Sequence, residues 1–374
     1  MQKATVVAGV EAWPDRGYLP ALELLVGSCR ATAALHEQGR AVLESIVVRH
    51  LVNRLLVDDE VARQPTLAAA AVGPAIVVTG LPRTGTTLLH NLLALDPSFR
   101  PLRLWEALQP VPRRRPEVPS REQRVAQAAR WLERLYQVVP GFQAIHATTP
   151  EGPEECDALL QNDFASQHFD DMFNAEAYSA WLATAPLDRE YRSYARQLCV
   201  LRRPEDGARP WVLKSPSHLG HLDALLAACP EATVIHCHRA PAQAVPSYAS
   251  LVLSLRRAYS DDVSAALVGE QALRRTVTAL ARAGDVRRGA PGRFLDVSYG
   301  DLVTRPRATV ATLYEQLGRP LPDEVGTAID GWLGRHPQHE HGVHRYGPGD
   351  FGLGAAALDE AFASYREEHA ASLG

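Results

Sequence analysis

The stretch VVTGLPRTGTTLLHNLL, residues 77–93, carries the strongest structural signal in this chain. An apolar, β-branched run leads into it, glycines stand in its middle, and leucines spaced as on one face of a helix end it. This order predicts a buried strand, a tight loop and a helix. Gly80 and Gly85 are separated as in the phosphate-binding loop of nucleotide-hydrolysing enzymes, but Thr86 stands where that loop has a lysine.

A glycine loop between a strand and a helix points backbone N–H groups and the positive helix end toward an anion. Arg83, Thr86 and Thr87 add a guanidinium and two hydroxyls, all good phosphate donors. The stretch therefore predicts a phosphate site that needs no lysine, and the alternative is an ordinary strand-to-helix turn with glycines for packing. A P-loop kinase or NTPase needs the lysine and a carboxylate that helps to hold Mg²⁺. It is thus the second interpretation, and a non-catalytic nucleotide-binding protein is the third.

The composition is that of a folded protein without a strong net positive charge. The chain has 374 residues, 22% of them charged, and a formal net charge of −4, so we expect no nucleic-acid partner and only a local anion site. Five dispersed cysteines indicate reduced thiols, and the histidines and cysteines lack metal-ligand spacing, so no metal is expected. Because no signal peptide and no apolar run of about 20 residues is found, we expect no transmembrane segment and a cytoplasmic location.

Three later apolar runs are each followed by a helical pattern, at residues 209–216, 232–239 and 293–299. Repeated strand-then-helix units predict a mostly parallel sheet with helices on both faces. The predicted fold is a P-loop-like three-layer α/β/α arrangement with additional N-terminal and inserted helices, including long helices around 153–203. We expect one domain over residues 1–374, with a helical N-terminal portion (1–70), an α/β core (71–320) and a C-terminal segment (321–374).

Polar side chains mark the ends of two further predicted strands. Lys214 ends the run WVLK, and Arg239 follows the run ATVIHCH, with Ser247 eight residues later in the next predicted helix. Ligands of parallel sheets bind at the carboxyl ends of the strands. We therefore expect these three side chains to lie near the glycine loop, with Arg239 and Ser247 forming a second anion site.

At these residues the chain resembles the PAPS-dependent sulfotransferases, and more closely the bacterial branch that is similar to tyrosylprotein sulfotransferases. The matching motifs, in order along the chain from about residue 50 onward, are VVTGLPRTGTTLLHNLLALDP, VLKSPSHL, HRAPAQAVPSYASL, VSYGDLVTRPRATV and GVHRYGPGDFGL. The resemblance implies transfer of a sulfuryl group from 3′-phosphoadenylyl sulfate to a hydroxyl, less readily an amine, of a small-molecule, lipid or glycan acceptor. It implies no metal requirement, and a homo-oligomer is an open expectation.

The resemblance also implies roles for individual residues. The 5′-phosphosulfate would be held by Arg83, Thr84, Gly85, Thr86 and Thr87, the 3′-phosphate by Arg239 with Ser247, the bridging oxygen by Lys214 and the adenine by Tyr299. The C-terminal segment would close on the nucleotide through His344 and Arg345.

The catalytic base has two candidates. Related enzymes use a glutamate just beyond the first helix, which implies Glu106, while the cytosolic branch places a histidine after the lysine, which implies His218. Either side chain is suited to accept the proton of an acceptor hydroxyl. The alternatives are a solvated glutamate at a helix start and a histidine bonded near the start of its own helix. His146 and the pair Glu154 and Glu155 are expected to line the acceptor pocket, although adjacent glutamates also start helices.

Overall fold

A computed structural model describes residues 1–10, 13–111, 119–139, 141–145, 147–337 and 347–373. Within these ranges the strands are β1 (Ala75–Gly80), β2 (Arg100–Pro101), β3 (Trp211–Lys214), β4 (Ala232–His238) and β5 (Phe294–Ser298). The α-helices of the same ranges are α1 (Gln2–Ala8), α2 (Leu19–Thr32), α3 (Glu37–Arg63), α4 (Thr86–Leu93), α5 (Leu104–Leu108), α6 (Arg121–Val138), α7 (Phe142–Ile145), α8 (Asp157–Gln161), α9 (His168–Phe173), α10 (Glu176–Thr184), α11 (Asp188–Leu201), α12 (Leu222–Ala228), α13 (Pro241–Arg257), α14 (Ala265–Gly289), α15 (Tyr299–Thr304), α16 (Pro306–Gln316), α17 (Asp323–Arg335), α18 (Ala355–Ala361), α19 (Ala363–Glu368) and α20 (Ala370–Leu373).

The described strands form one parallel sheet in the order β2-β3-β1-β4-β5. In its registers Val78 of β1 lies opposite Lys214 of β3, and Gly80 lies opposite Cys237 of β4. The carboxyl ends of the three central strands are therefore adjacent, which places the glycine loop between the end of β3 and the end of β4. The parallel sheet expected from the sequence is confirmed, and β2 adds a two-residue edge strand that the sequence did not predict.

Both faces of the sheet are covered, which explains why β1 is apolar without alternation. Ile76 and Val78 pack into one apolar cluster with α4, α16 and α17, while Ala75 and Val77 belong to the larger cluster formed with the N-terminal and inserted helices. A strand buried on both faces has no solvent side on which a polar residue would be favoured. The three-layer arrangement predicted from the strand-then-helix repeats is thus confirmed.

The inserted region at 153–203 differs from the expected long helices, because it consists of the four shorter helices α8 to α11. Phe164 and Asn174 adopt positive φ values of 56° and 50°, a conformation that ends right-handed helices. The N-terminal helix α3 is joined to this region by a buried ion pair in which Arg54 Nη1 lies 2.6 Å from Asp163 Oδ1. Of the helices in the described ranges, none has the length and apolarity needed to cross a bilayer.

Candidate active site

The loop between β1 and α4 has the geometry of an anion-binding turn. Gly80 and Gly85 have φ values of 149° and 84°. A Cβ at Gly80 would lie 2.4 Å from the Cys237 carbonyl oxygen, and one at Gly85 would lie 3.1 Å from Tyr299 Cδ2. The loop is closed by Thr84, whose Oγ1 donates to the Leu81 carbonyl at 2.7 Å. Glycine is therefore required at both positions, and the start of α4 faces the end of the sheet.

The second predicted anion site adjoins this loop directly. Arg83 Nε donates to Ser247 Oγ at 3.2 Å, and Arg239 Nη1 donates to the Arg83 carbonyl at 2.8 Å. The Arg239 guanidinium also lies over the Tyr299 ring, 4.3 Å from its centroid. The structure brings these four residues together, but it places the Arg83 side chain beside Ser247 rather than apart from it. The Arg83 guanidinium thus contacts the Ser247 hydroxyl, while the Arg239 guanidinium is held against the Arg83 backbone and the Tyr299 ring.

Lys214 connects the glycine loop to a carboxylate. Its Nζ donates to Thr87 Oγ1 at 3.3 Å and to Glu155 Oε1 at 2.5 Å. The Lys214 side chain is 1% exposed, whereas that of Glu155 is 30% exposed. A buried cation at the phosphate loop is therefore paired with an acid that remains open to the adjoining space.

The backbone on both sides of Glu155 fixes the position of this carboxylate. The Glu154 N–H donates to the Leu102 carbonyl at 2.8 Å, and the Cys156 N–H donates to the Lys214 carbonyl at 3.0 Å. Residues 153–156 are thus held between the segment that follows β2 and the end of β3. Glu154 turns back on this segment, because its Oε1 accepts the N–H of Glu155 at 2.7 Å. Only Glu155 of the two is directed at Lys214.

A cavity of about 1630 Å³ opens in front of these groups. Its described lining includes the predicted site residues Arg83, Gly85, Thr86, Thr87, Arg239, Ser247, Tyr299, Glu154 and Glu155. Trp332 and His336 of α17, which stack with ring centroids 4.3 Å apart, also line it. The cavity continues between α3 and α6, beyond the glycine loop. One space therefore joins both predicted anion sites, Glu155 and a large apolar region.

Glu106 is not among the described residues that line this cavity. Both of its carboxylate oxygens bind Arg100, with Nη2–Oε1 and Nη1–Oε2 distances of 2.7 Å, and Oε2 also accepts the Arg103 N–H at 3.2 Å. The Glu106 side chain is buried at the edge of the sheet. The Glu106 carboxylate forms an ion pair with Arg100 that links α5 to β2, and the base role predicted for Glu106 stays a prediction.

His218 is likewise not among the described residues that line the cavity. It is fully buried, with Nδ1 2.8 Å from the Tyr191 hydroxyl and Nε2 3.1 Å from Cys156 Sγ. Burial lowers the pKa of His218 to about 3. This neutral imidazole lies against Cys156, the residue after Glu155, and the base role predicted for His218 stays a prediction.

Three residues of the sequence predictions lie outside the described ranges, namely His146, His344 and Arg345. Their predicted contributions to the acceptor pocket and to closure over the nucleotide stay predictions. Tyr299 is described, and its ring lies at the cavity wall under Arg239.

Within the described chain, one group has ligand atoms close enough for a metal ion: His236, His238 and Asp296. The sequence did not predict it, because Asp296 comes from another strand. His238 is bonded on both ring nitrogens, with Nδ1 2.7 Å from the Tyr365 hydroxyl and Nε2 2.7 Å from Asp296 Oδ1. Arg287 donates to the other Asp296 oxygen at 2.8 Å and holds the pKa of Asp296 below its usual range together with His238. These contacts describe a hydrogen-bond network that fixes the end of β4, one residue before Arg239.

Comparisons with known proteins agree with this geometry. A family model described as "Sulfotransferase family" matches residues 74–323. The chain is similar to the crystal structure of the sulfotransferase STF1 from Mycobacterium tuberculosis H37Rv, with 30% identity, a TM-score of 0.83 and 97% of each chain covered. It is also similar to that of the sulfotransferase STF9 from Mycobacterium avium, with 25% identity and a TM-score of 0.85 over 98% of this chain and 95% of that one. A comparison with curated proteins gave no match. The family match, together with the similarity to STF1 over nearly the full length of both chains, shows that the chain belongs to the sulfotransferase family.

Proposed function

We propose that this enzyme transfers the sulfuryl group of 3′-phosphoadenylyl sulfate to a hydroxyl of a small-molecule, lipid or glycan acceptor. The observation that carries the proposal is the position of Lys214, which bonds both Thr87 of the phosphate loop and Glu155 at the cavity. A cation at the phosphate and a carboxylate beside it are the two groups that such a transfer needs.

The described residues fit this donor. The amides and hydroxyls of residues 84–87 would hold the 5′-phosphosulfate at the start of α4. Arg83, Arg239 and Ser247 would hold the 3′-phosphate, because Arg83 bonds the Ser247 hydroxyl, Arg239 bonds the Arg83 carbonyl, and all three residues line the cavity. This assignment moves Arg83 from the 5′ end, where the sequence places it, to the 3′ end. Tyr299 would contact the adenine from the adjoining wall.

The acceptor oxygen would attack sulfur as the bond from sulfur to the bridging phosphate oxygen breaks. The acceptor proton would pass to Glu155, and the electron pair of the broken bond would stay on adenosine 3′,5′-bisphosphate. Lys214 would stabilise the negative charge that grows on the bridging oxygen. No γ-phosphate takes part in this reaction, which is a physical reason for a threonine where nucleotide-hydrolysing enzymes have a lysine.

A binding comparison followed by a transfer assay tests the proposal. Thermal unfolding should shift upward with adenosine 3′,5′-bisphosphate and little with ATP and Mg²⁺, since only the first offers a 3′-phosphate to Arg239 and Ser247. Donor labelled in the sulfuryl group should then pass label to members of a hydroxyl-acceptor panel, with or without a chelator. Stabilisation by ATP and Mg²⁺ alone would indicate a kinase or NTPase, and bisphosphate binding without any transfer would indicate a non-catalytic nucleotide-binding protein.

A further inference from the structure

The apolar region of the cavity contains a cation at its wall. Arg49 of α3 lines this region, and its Nε is buried without a hydrogen-bond partner. Among the described residues no carboxylate forms an ion pair with Arg49, and burial lowers its pKa to about 10. Arg49 is half-buried, and a partly desolvated charge that lacks an opposite charge is unfavourable in the folded state. Such a group needs a reason to be retained.

The surroundings of Arg49 hold the guanidinium without neutralising it. Arg49 Nη2 lies 3.3 Å from His50 Nε2, and His50 Nδ1 lies 2.8 Å from Asn162 Oδ1. Burial and the nearby Arg49 charge lower the pKa of His50 well below its ordinary value, so this imidazole is neutral and accepts at Nε2. The ring of Trp131 lies on the other side, with its centroid 5.8 Å from the Arg49 guanidinium carbon. All of these partners are uncharged.

The walls that lead to Arg49 are mainly apolar. On α3 the residues that face the cavity recur at helical spacing, and Arg49 continues this stripe. On α6 a second stripe faces it. The apolar members that line the cavity are Ala41, Val42 and Ile46 of α3 and Trp131, Leu132, Leu135 and Val138 of α6. A ligand that fills this region must therefore present apolar surface along its length and can present a negative charge at Arg49.

We propose that Arg49 binds an anionic group on the acceptor, so that the acceptor class is an amphipathic alcohol: a hydroxyl, an apolar body and a carboxylate or other anion. The acceptor part rests on the proposed sulfuryl transfer, because that reaction places the hydroxyl at Glu155. The anion site itself rests on the half-buried Arg49 guanidinium, with which no described carboxylate forms an ion pair, and on the apolar walls. Arg49 is thus assigned as a specificity-determining residue, remote from the reacting atoms.

Matched ligands test this assignment by calorimetry, with and without adenosine 3′,5′-bisphosphate. The probes are ω-hydroxy carboxylic acids of roughly eight to sixteen carbons, each compared with the α,ω-diol of the same length, since pockets bury most of a ligand of this size. The wild-type protein should bind the acid at least about tenfold more tightly than the diol, as expected for a charge-assisted hydrogen bond. Arg49→Met should remove this preference and leave diol binding unchanged, whereas Arg49→Lys should keep part of it. Arg134→Met, which removes an exposed arginine of the same cavity, should leave the preference intact.

Stability distinguishes a ligand site from a structural role. Replacing this half-buried cation, which has no described carboxylate partner, with methionine should leave the melting temperature of the ligand-free protein unchanged or raise it. The proposal is overturned if acid and diol bind equally to the wild type, if neither binds, or if the preference for the acid survives in Arg49→Met. Loss of bisphosphate binding would instead contradict the proposed sulfuryl transfer, because the anion site is measured in the absence of nucleotide as well.

Discussion

Glu155→Gln separates catalysis from structure at the proposed base. Glutamine keeps the size of the side chain and an oxygen that can accept from Lys214, but it cannot take a proton from the acceptor. General bases contribute roughly 10²- to 10⁴-fold to a rate, which corresponds to about 2.7–5.5 kcal/mol of activation free energy. We therefore expect the transfer rate at saturating donor to fall at least about 100-fold.

The same substitution should change stability only moderately. It leaves the Lys214 ammonium without a charged partner, and breaking a fully buried pair costs about 3–5 kcal/mol. Because Glu155 is 30% exposed and solvent can reach the vacated position, we expect about 1–2 kcal/mol. Affinity for adenosine 3′,5′-bisphosphate should be retained, since Lys214 keeps its contact with Thr87.

Glu106→Gln is the matched control, because it makes the same chemical change at the other glutamate considered as base. Glu106 and Arg100 are both buried and form two 2.7 Å contacts, so this variant should lose about 3 kcal/mol of unfolding free energy. Its folded fraction should transfer at the wild-type rate. The assay follows label from donor to the best acceptor of the panel, with denaturant unfolding measured in parallel. A transfer rate of Glu155→Gln within about threefold of wild type would refute the assignment.

Three other changes probe the remaining parts of the site. Ser247→Ala should weaken the binding of adenosine 3′,5′-bisphosphate about tenfold in calorimetry and leave the binding of adenosine 5′-monophosphate unaffected, because the hydroxyl is proposed to hold the 3′-phosphate. Equal losses of affinity for both nucleotides would contradict this position for Ser247. Gly85→Ala should abolish nucleotide binding and lower the melting temperature, since its φ of 84° and the 3.1 Å approach to Tyr299 leave no room for a methyl group, and a normal melting curve would contradict this. The third change concerns His218, whose pKa is lowered from an ordinary 6.5 to about 3, so that below pH 6.5 the unfolded chain binds a proton that the folded protein does not. His218 should therefore contribute a fall in unfolding free energy of up to about 1.4 kcal/mol per pH unit from pH 6.5 toward 3. The slope of His218→Gln should be shallower than that of the wild type by this contribution, to which other buried histidines such as His50 add their own. Parallel pH profiles would contradict the prediction.

The sequence was sufficient to predict the positions of candidate site residues that stand at the ends of strands. Lys214 and Arg239 stand at or just after apolar runs, and parallel strands bring their carboxyl ends to one edge, so their approach to the glycine loop could be predicted without coordinates. Ser247 followed from its place two helical turns after Arg239. The direction of Arg83 could not be predicted, since it depends on a left-handed residue (φ 70°) in a loop that glycines make permissive.

The proposed base could not be found in the same way. Glu155 reaches Lys214 because its flanking backbone bonds residues 102 and 214, contacts that span about fifty or sixty residues and leave no local pattern. Glu106 was predicted from its place in the chain, just beyond the first helix of the resembled family, but Arg100, six residues earlier, donates hydrogen bonds to both of its carboxylate oxygens. The adjacent glutamates of the segment EGPEEC were the available signal, and a helix start was an equally good explanation of them.

Lys214 accounts both for the lack of a lysine in the glycine loop and for the position of Glu155. In this chain the positive charge near the phosphate loop comes from β3, where Lys214 is the register partner of Val78, and it reaches Thr87 from the side. A lysine within the loop would place its ammonium at the phosphates only. A lysine at the end of a strand can bond a second group as well, and here Lys214 Nζ bonds Glu155 Oε1 at 2.5 Å. A bound phosphosulfate would compete with Glu155 for the three donors of this ammonium, and each bond it took would weaken the hold on the carboxylate. Donor binding would thereby raise the basicity of Glu155 at the moment when an acceptor proton has to be removed.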